Sequence, residues 1–410
     1  MRSRAFIVVL AVAAATTTTK GAMELVYPPY LAGYGYAFSL IGFFTSLFAV
    51  LQLASRVPVG LAYSAAGAKR QFALAVAVFG LSMSGFAFAD GRLPVVVVLS
   101  VVQGFAFGSV GTLGLAIAID LTGGRRAGAS MAWYTGANSL GYATGAIAGG
   151  WLGETIGIPA TLGVIGLLPV AAALAVLSLP MLEAAPLPFA RAPGLRGLLA
   201  AAGKLDSRVW LAFVVVLYLN VLQDAVDTFF PVFAPTIGIS LALVGVLRAF
   251  KSTAAIVIRL TAAGLLGVVD HRRAMTVAVV AAAVATAALP LSSSLLVLAP
   301  IFIVLGLTRG LLRATSAATI AELRGEGKDI GLASGVYNSG LDIGAIVGPS
   351  IAGAFATVFG IAQMFPIVAA LSFAVWLAVA LSSATTREAA GFAERHTIGP
   401  KNSTGGGRVG

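Results

Sequence analysis

Cysteine does not occur among the 410 residues, and histidine occurs only twice, at His271 and His396. Without thiols neither a disulfide framework nor a thiolate metal site can form. Two lone imidazoles in segments that read as loop and tail supply no metal centre, so no cofactor is expected. Charge is scarce as well. Only 10% of residues are charged against 59% hydrophobic, and the mean hydropathy is +0.98. No soluble domain has this balance, which leaves a polytopic α-helical membrane protein. Long loops, a nucleophile paired with a base and a phosphate-cradling loop are all lacking, so a membrane-embedded enzyme or a sensor finds no support.

Acidic residues are the rarer sign, 15 against 26 lysines and arginines, for a net charge of +11. That excess is a matter of topology rather than of nucleic acid. One alternating set of loops carries Arg2, Arg4, Lys69, Arg70, Arg125, Arg126, Arg191, Arg196, Lys204, Arg208, Arg272, Arg273, Arg324 and Lys328, and the other carries only Arg92. The bias places both termini and the central loop in the cytoplasm of a cell whose cytoplasmic membrane holds the chain.

Twelve spans are predicted, near 5–32, 39–63, 71–89, 93–119, 127–153, 158–182, 208–234, 241–267, 274–291, 295–321, 330–357 and 361–383. Each has the ~20 residues a bilayer needs. The fold class is an all-α integral membrane protein with twelve transmembrane helices in two pseudo-symmetric six-helix bundles. The bundles cover 1–182 and 208–384, separated by a cytoplasmic linker at 183–207 and followed by a disordered tail at 385–410. The opening MRSRAFIVVLAVAAATTTTKG resembles a signal peptide. Cleavage is not expected, because the segment that follows pairs with an internal helix.

That pairing is a repeat. A gapless shift of 203 positions lays Glu24 on Asp227, Pro28 on Pro231, Gly35 on Gly238, Gly42 on Gly245 and Arg56 on Arg259. It continues through Thr112 on Thr315, Tyr134 on Tyr337, Gly150 on Gly353 and Gly157 on Gly360. One half-unit is used twice in the same orientation.

Ionisable groups at bilayer depth cost on the order of 3 kcal/mol each, so they mark places facing protein, water or cargo. The third, sixth, ninth and twelfth spans have none and are free to face lipid. Thr17, Lys20, Glu24 and Tyr27 share a face of the first span, and Asn220, Gln223, Asp227 and Phe230 the same places of the seventh. Arg248, Lys251 and Arg259 share a face of the eighth, and Arg309 and Arg313 one of the tenth, where the twin positions under the shift are apolar. By depth, Asp227 pairs with Lys251 and Arg313 with Asp342, while Lys20 and Glu24 neutralise each other. Arg56 and Arg259 lie toward the cytoplasmic ends and serve to snorkel or to fix the bundle.

Two motifs bring a family into view. Gly60-Leu61-Ala62-Tyr63-Ser64-Ala65-Ala66-Gly67-Ala68-Lys69-Arg70 is similar to the G-x-x-x-D-R-x-G-R-R signature of the major facilitator superfamily, departing from it at Ser64 and Ala65. Gly141-x-x-x-Gly145-Ala146-x-x-Gly149-Gly150 resembles the family's G-x-x-x-G-P-x-x-G-G pattern linked to antiporters. Its twin at Gly344, Gly348, Pro349 and Gly353 keeps the proline. Glycines at this spacing also serve plain close packing of helices in lipid. The resemblance implies two bundles rocking about a midplane cavity, lined mainly by the first, fourth, seventh and tenth helices, with the second, fifth, eighth and eleventh contributing.

The expected function is proton-coupled secondary transport of a small solute, leaning toward an organic anion or polar metabolite, since arginine forks suit carboxylate and phosphate. The alternative is proton-driven efflux of amphipathic drugs, suggested by the glycine-rich fifth helix and by Tyr27, Tyr30, Phe105 and Phe107. Proton-coupling candidates are Asp227, Asp224, Glu24 and Asp342, in that order. Substrate candidates are Lys20, Tyr27, Asn220, Gln223, Arg248, Lys251, Arg309, Arg313 and Asn338. The expected partners are the solute, protons and membrane lipid, with no nucleic acid, and a monomer.

Overall fold

With no water in the hydrocarbon core to bond to peptide groups, a spanning chain must satisfy each one internally, which a helix does. A computed structural model describes residues 2–62, 65–121, 127–177, 207–266, 271–325 and 330–397. Twelve long helices and no strand occur among them. The first half runs α1 (Arg2–Gly33), α2 (Phe38–Leu61), α3 (Ala65–Gly85), α4 (Leu93–Leu121), α5 (Ala127–Thr155) and α6 (Ile158–Leu177). The second runs α7 (Ser207–Phe233), α8 (Leu241–Leu266), α9 (His271–Ala288), α10 (Leu295–Gly325), α11 (Ile330–Phe359) and α12 (Ile361–Thr397). Apart from Ser207, which opens α7, the expected linker lies outside the described residues.

Eleven of the helices are long and apolar enough to cross a membrane. The one that falls short is α5, whose sequence is threaded with Gly, Ser, Thr, Asn and Tyr. Its glycines allow α1 to approach: a Cβ on Gly141, Gly145 or Gly149 would run into the α1 backbone at Ala14, Thr18 and Ala22. In the second half Gly344 and Gly348 meet α7 at Leu217 and Val221. The glycine motifs thus pack each half together.

The repeat is visible in the turns. Gly35 and Gly238 sit at φ +79° and +77°, and Gly157 and Gly360 at +82° and +87°. A left-handed backbone strongly favours glycine, so these pairs terminate corresponding helices in the same way. All four turns lie at one end of the molecule, the turn end. The C-terminal ends of α2 and α8 lie at the other, as do Lys69 and Arg70 of α3, Arg208 of α7 and Arg273 of α9, and it is called the basic end.

The shift of 203 is not gapless. α4 and α10 begin at Leu93 and Leu295, and Gly104 and Gly306 meet Phe48 and Lys251 of the neighbouring helix, so these helices are related by 202. The turn before α10 is one residue shorter than its counterpart before α4, and the 203 register has returned by the starts of α5 and α11. The structural twin of Arg309 is therefore Phe107, not Ala106.

The expected disordered tail also differs in part. α12 continues past 384 to Thr397, where Thr386-Arg387-Glu388-Ala389-Ala390 is a run with good helix formers. Residues 398–410 lie outside the described residues.

The halves meet along two seams related by the same pseudo-twofold. On one, α2 lies against α11: a Cβ on Gly42 would strike the Pro349 carbonyl, and Gly353 abuts Phe38. On the other, Gly245 of α8 abuts Ala146 of α5, and Gly150 abuts Leu241. Each of these four contacts is the image of another under the repeat. The turn end of each seam is fastened by a backbone amide at a helix start. Ser39 N–H donates to Thr357 Oγ1 and Ala242 N–H to Glu154 Oε1, both at 2.9 Å.

Candidate functional site

Tight glycine seams near the turn end leave space farther down. A cavity of about 420 Å³ extends toward the basic end as far as Arg56, Arg259 and Asp342, lined from α1, α2 and α5 of one half and α7, α8, α10 and α11 of the other. A recess of about 110 Å³ continues it past Glu24 and Asp227 to Lys20, Tyr27 and Pro28. α4, expected as a principal wall, contributes no residue to either space. Its Phe107 stands where α10 has Arg309, and an aromatic ring fills volume that a guanidinium would leave wet.

The two halves solve the burial of charge differently. In the first, Lys20 of α1 lies 4.0 Å above the Phe48 ring, with Phe107 5.9 Å away, and bonds Glu24 at 3.0 Å. In the second the acid is on the equivalent helix and the cations surround it. Asp227 accepts from Lys251 Nζ at 2.6 Å, and has Arg248 Nε at 3.5 Å and Arg309 Nη1 at 3.8 Å. Lys251 occupies the place of Phe48 and Arg309 that of Phe107. Buried charges persist only when matched by opposite charge and hydrogen bonds, and the side chains of Lys251 and Arg248 are only 3% and 7% exposed.

Arg248 joins the two arrangements. Its Nη2 donates to Glu24 Oε2 at 3.1 Å, across the boundary between the halves. A chain of ion pairs thus runs from Lys20 through Glu24, Arg248 and Asp227 to Lys251. A second bridge between halves is Arg56 with Asp342 at 2.9 Å, near the basic end. The expected pairing of Asp227 with Lys251 holds, and so does that of Lys20 with Glu24. Arg313 does not pair with Asp342; it donates instead to Asn220 Oδ1 at 3.1 Å. Spacing along single helices set those two at a similar level, but Asp342 faces α2.

Other candidates divide. Asn220, Arg248, Lys251, Arg309 and Arg313 line the main cavity, and Lys20 and Tyr27 the recess. Tyr27 shares a 2.8 Å hydrogen bond with Ser100. Gln223 lines neither space; it donates to the Leu305 carbonyl at 3.1 Å and so ties α7 to α10. Asn338 is exposed on α11 and is absent from both linings. Gly60 lies near the end of α2, and Gly67, Lys69 and Arg70 open α3, away from the cavity. Gln52, Thr135, Asn138, Ser139 and Tyr142 line the cavity and were not anticipated. Neutral polar residues at bilayer depth give little signal in a sequence, although α5 carries four of the five.

The electrostatic balance is lopsided. The main cavity presents Arg56, Arg248, Lys251, Arg259, Arg309 and Arg313 against Glu24, Asp224, Asp227 and Asp342. Nε of Arg259, Arg309 and Arg313 and Nη1 of Arg248 are buried without a hydrogen-bond partner, as is Asp224 Oδ2. Unsatisfied buried donors are rare in folded proteins and point to a missing partner.

The sequence matches the family model of the Major Facilitator Superfamily over residues 6–326 and 272–403. The chain belongs to that superfamily. Among solved structures, the nucleoside transporter NupG superposes at TM-score 0.74 with 12% identity, covering 92% of this chain and 98% of that one. A bacterial homolog of the human lysosomal transporter Spinster, in an inward-facing and unoccupied conformation, superposes at 0.73 with 12% identity over 94% and 95%. At these identities the likeness is one of fold. A comparison with curated proteins gives no match. Two six-helix bundles around a polar cavity are the architecture of a superfamily transporter, a multi-pass membrane protein that carries a small molecule rather than transforming it.

Proposed function

We propose that this superfamily member is a proton-coupled carrier of a small organic anion in the cytoplasmic membrane, with the present state open to the cytoplasm. The observation that carries the reading is the cavity wall, with six cations against four carboxylates and several guanidinium nitrogens unpartnered. Guanidinium forks match carboxylate and phosphate, and an anion entering this space supplies the missing acceptors. The loop cations at the basic end support a cytoplasmic position for that end. The same wall argues against amphipathic cationic drugs, which would be repelled by it.

The difference between two neighbouring carboxylates supports the proton-coupled reading. Asp227 has three cations within 4 Å and works as the hub of the ion-pair chain. Asp224 lines the same cavity, forms no ion pair among the described residues and has a buried Oδ2 without a partner. A proton is the simplest charge that can compensate it. Asp224 therefore moves ahead of Asp227 as the coupling residue, and the cycle alternates between protonation of Asp224 and occupation of the arginine wall.

The test is flux into proteoliposomes under an imposed pH gradient, with labelled citrate, gluconate and inorganic phosphate beside glucose and ethidium. Saturable, gradient-dependent movement of an anion that Asp224→Asn uncouples is the expected result. Movement of ethidium alone would replace this reading with drug efflux.

A further inference from the structure

The pseudo-twofold relates more than packing contacts. It carries α2 onto α8 and α11 onto α5, as the contacts of Gly42 with Pro349 and of Gly245 with Ala146 show. Applied to the Arg56–Asp342 bridge, the same operation turns Arg56 into Arg259 and Asp342 into Ser139. One seam thus has an arginine held by a carboxylate, and in the other the position that corresponds to the carboxylate carries a hydroxyl. Arg259 and Ser139 both line the main cavity. Arg259 forms no ion pair among the described residues and its Nε is buried without a partner. The Ser139 hydroxyl is turned to the Thr135 carbonyl at 2.9 Å, so it offers no charge in return.

We propose that the absent carboxylate on α5 makes an anion subsite: Arg259, with Arg313 from α10, holds the carboxylate or phosphate of the solute near the basic end, beside the neutral polar side chains of α5. The inference rests on the anion reading above and names the group that recognises the charged end. In the other seam Asp342 occupies the corresponding place and excludes an anion there, so the molecule has one such subsite rather than two. The deeper cations Lys251 and Arg248 are spoken for by Asp227 and Glu24, which leaves Arg259 and Arg313, neither held by a carboxylate among the described residues, as the guanidinium groups an entering anion can pair with.

The experiment restores the missing charge. Ser139→Asp should place a carboxylate against Arg259 as Asp342 stands against Arg56, and so occupy the subsite from within. Purified full-length protein is titrated with citrate and, separately, inorganic phosphate at constant ionic strength, following the unfolding temperature, since a ligand bound only to the folded state raises it. Wild type should show a saturable rise with at least one of the two anions; the one that acts tells carboxylate from phosphate. Ser139→Asp and Arg259→Gln should each weaken the apparent affinity at least tenfold, Ser139→Asp without lowering the unfolding temperature of the unliganded protein, and Arg259→Lys should fall between. Unchanged affinity in Ser139→Asp, or no response of wild type to either anion, overturns the proposal. Because binding and not flux is read, failure of transport alone would leave this result intact, and failure here would leave proton coupling at Asp224 to be judged on its own.

Discussion

Lys251 and Asp227 form a buried ion pair at 2.6 Å. Removing one partner of a buried pair strands a charge and costs about 3–5 kcal/mol. Asp227→Asn should therefore lower the unfolding temperature markedly, and Asp227→Leu with Lys251→Met should recover much of the loss, as thermal unfolding in detergent will show. The Arg56–Asp342 bridge makes a useful contrast. Arg56 is 43% exposed, and exposed pairs contribute only about 0–1 kcal/mol, so Arg56→Gln should leave the unfolding temperature nearly unchanged while loosening the seam. The pairing of Asp227 with Lys251 was legible in the sequence, because ionisable residues in adjoining apolar spans at one depth have few other places to go. Glu24 with Arg248 was not legible. They come from different halves, and helical spacing carries no information about how two bundles face each other.

At the level of helices, the seams near the turn end rest on backbone contact at Gly42, Gly150, Gly245 and Gly353. Adding a branched side chain there forces α2 from α11, or α5 from α8. Gly353→Val should favour the state open at the turn end. Since the chain has no cysteine, Ser46→Cys, buried in the α2–α11 seam, reports this directly: maleimide should label it slowly alone and several-fold faster when Gly353→Val is added. Helix number, the duplicated half and the paired glycine turns could all be read beforehand, because lipid forces apolar length and left-handed turns call for glycine. The register of α4 against α10 could not, since one residue lost in a short polar turn leaves the apolar pattern of both helices intact. The mistaken expectation of α4 as a cavity wall has the same origin: Phe107 reads as lipid-facing or core alike, and only packing shows it under Lys20.

For the molecule as a whole, the account requires that the two bundles tilt about the charged cavity, so that one end closes as the other opens. Single-cysteine pairs on the cysteine-free background carry spin labels cleanly. Leu40 on α2 with Val358 on α11 spans the turn end, and Met131 on α5 with Ser339 on α11 spans the basic end. Distances between labels in lipid nanodiscs, measured with and without citrate across a series of pH values, test the central claim most directly. The account predicts two populations in which the Leu40–Val358 distance lengthens whenever the Met131–Ser339 distance shortens, with pH and anion shifting their proportions. Distances that stay fixed under every condition, or that change together in the same direction, would contradict it.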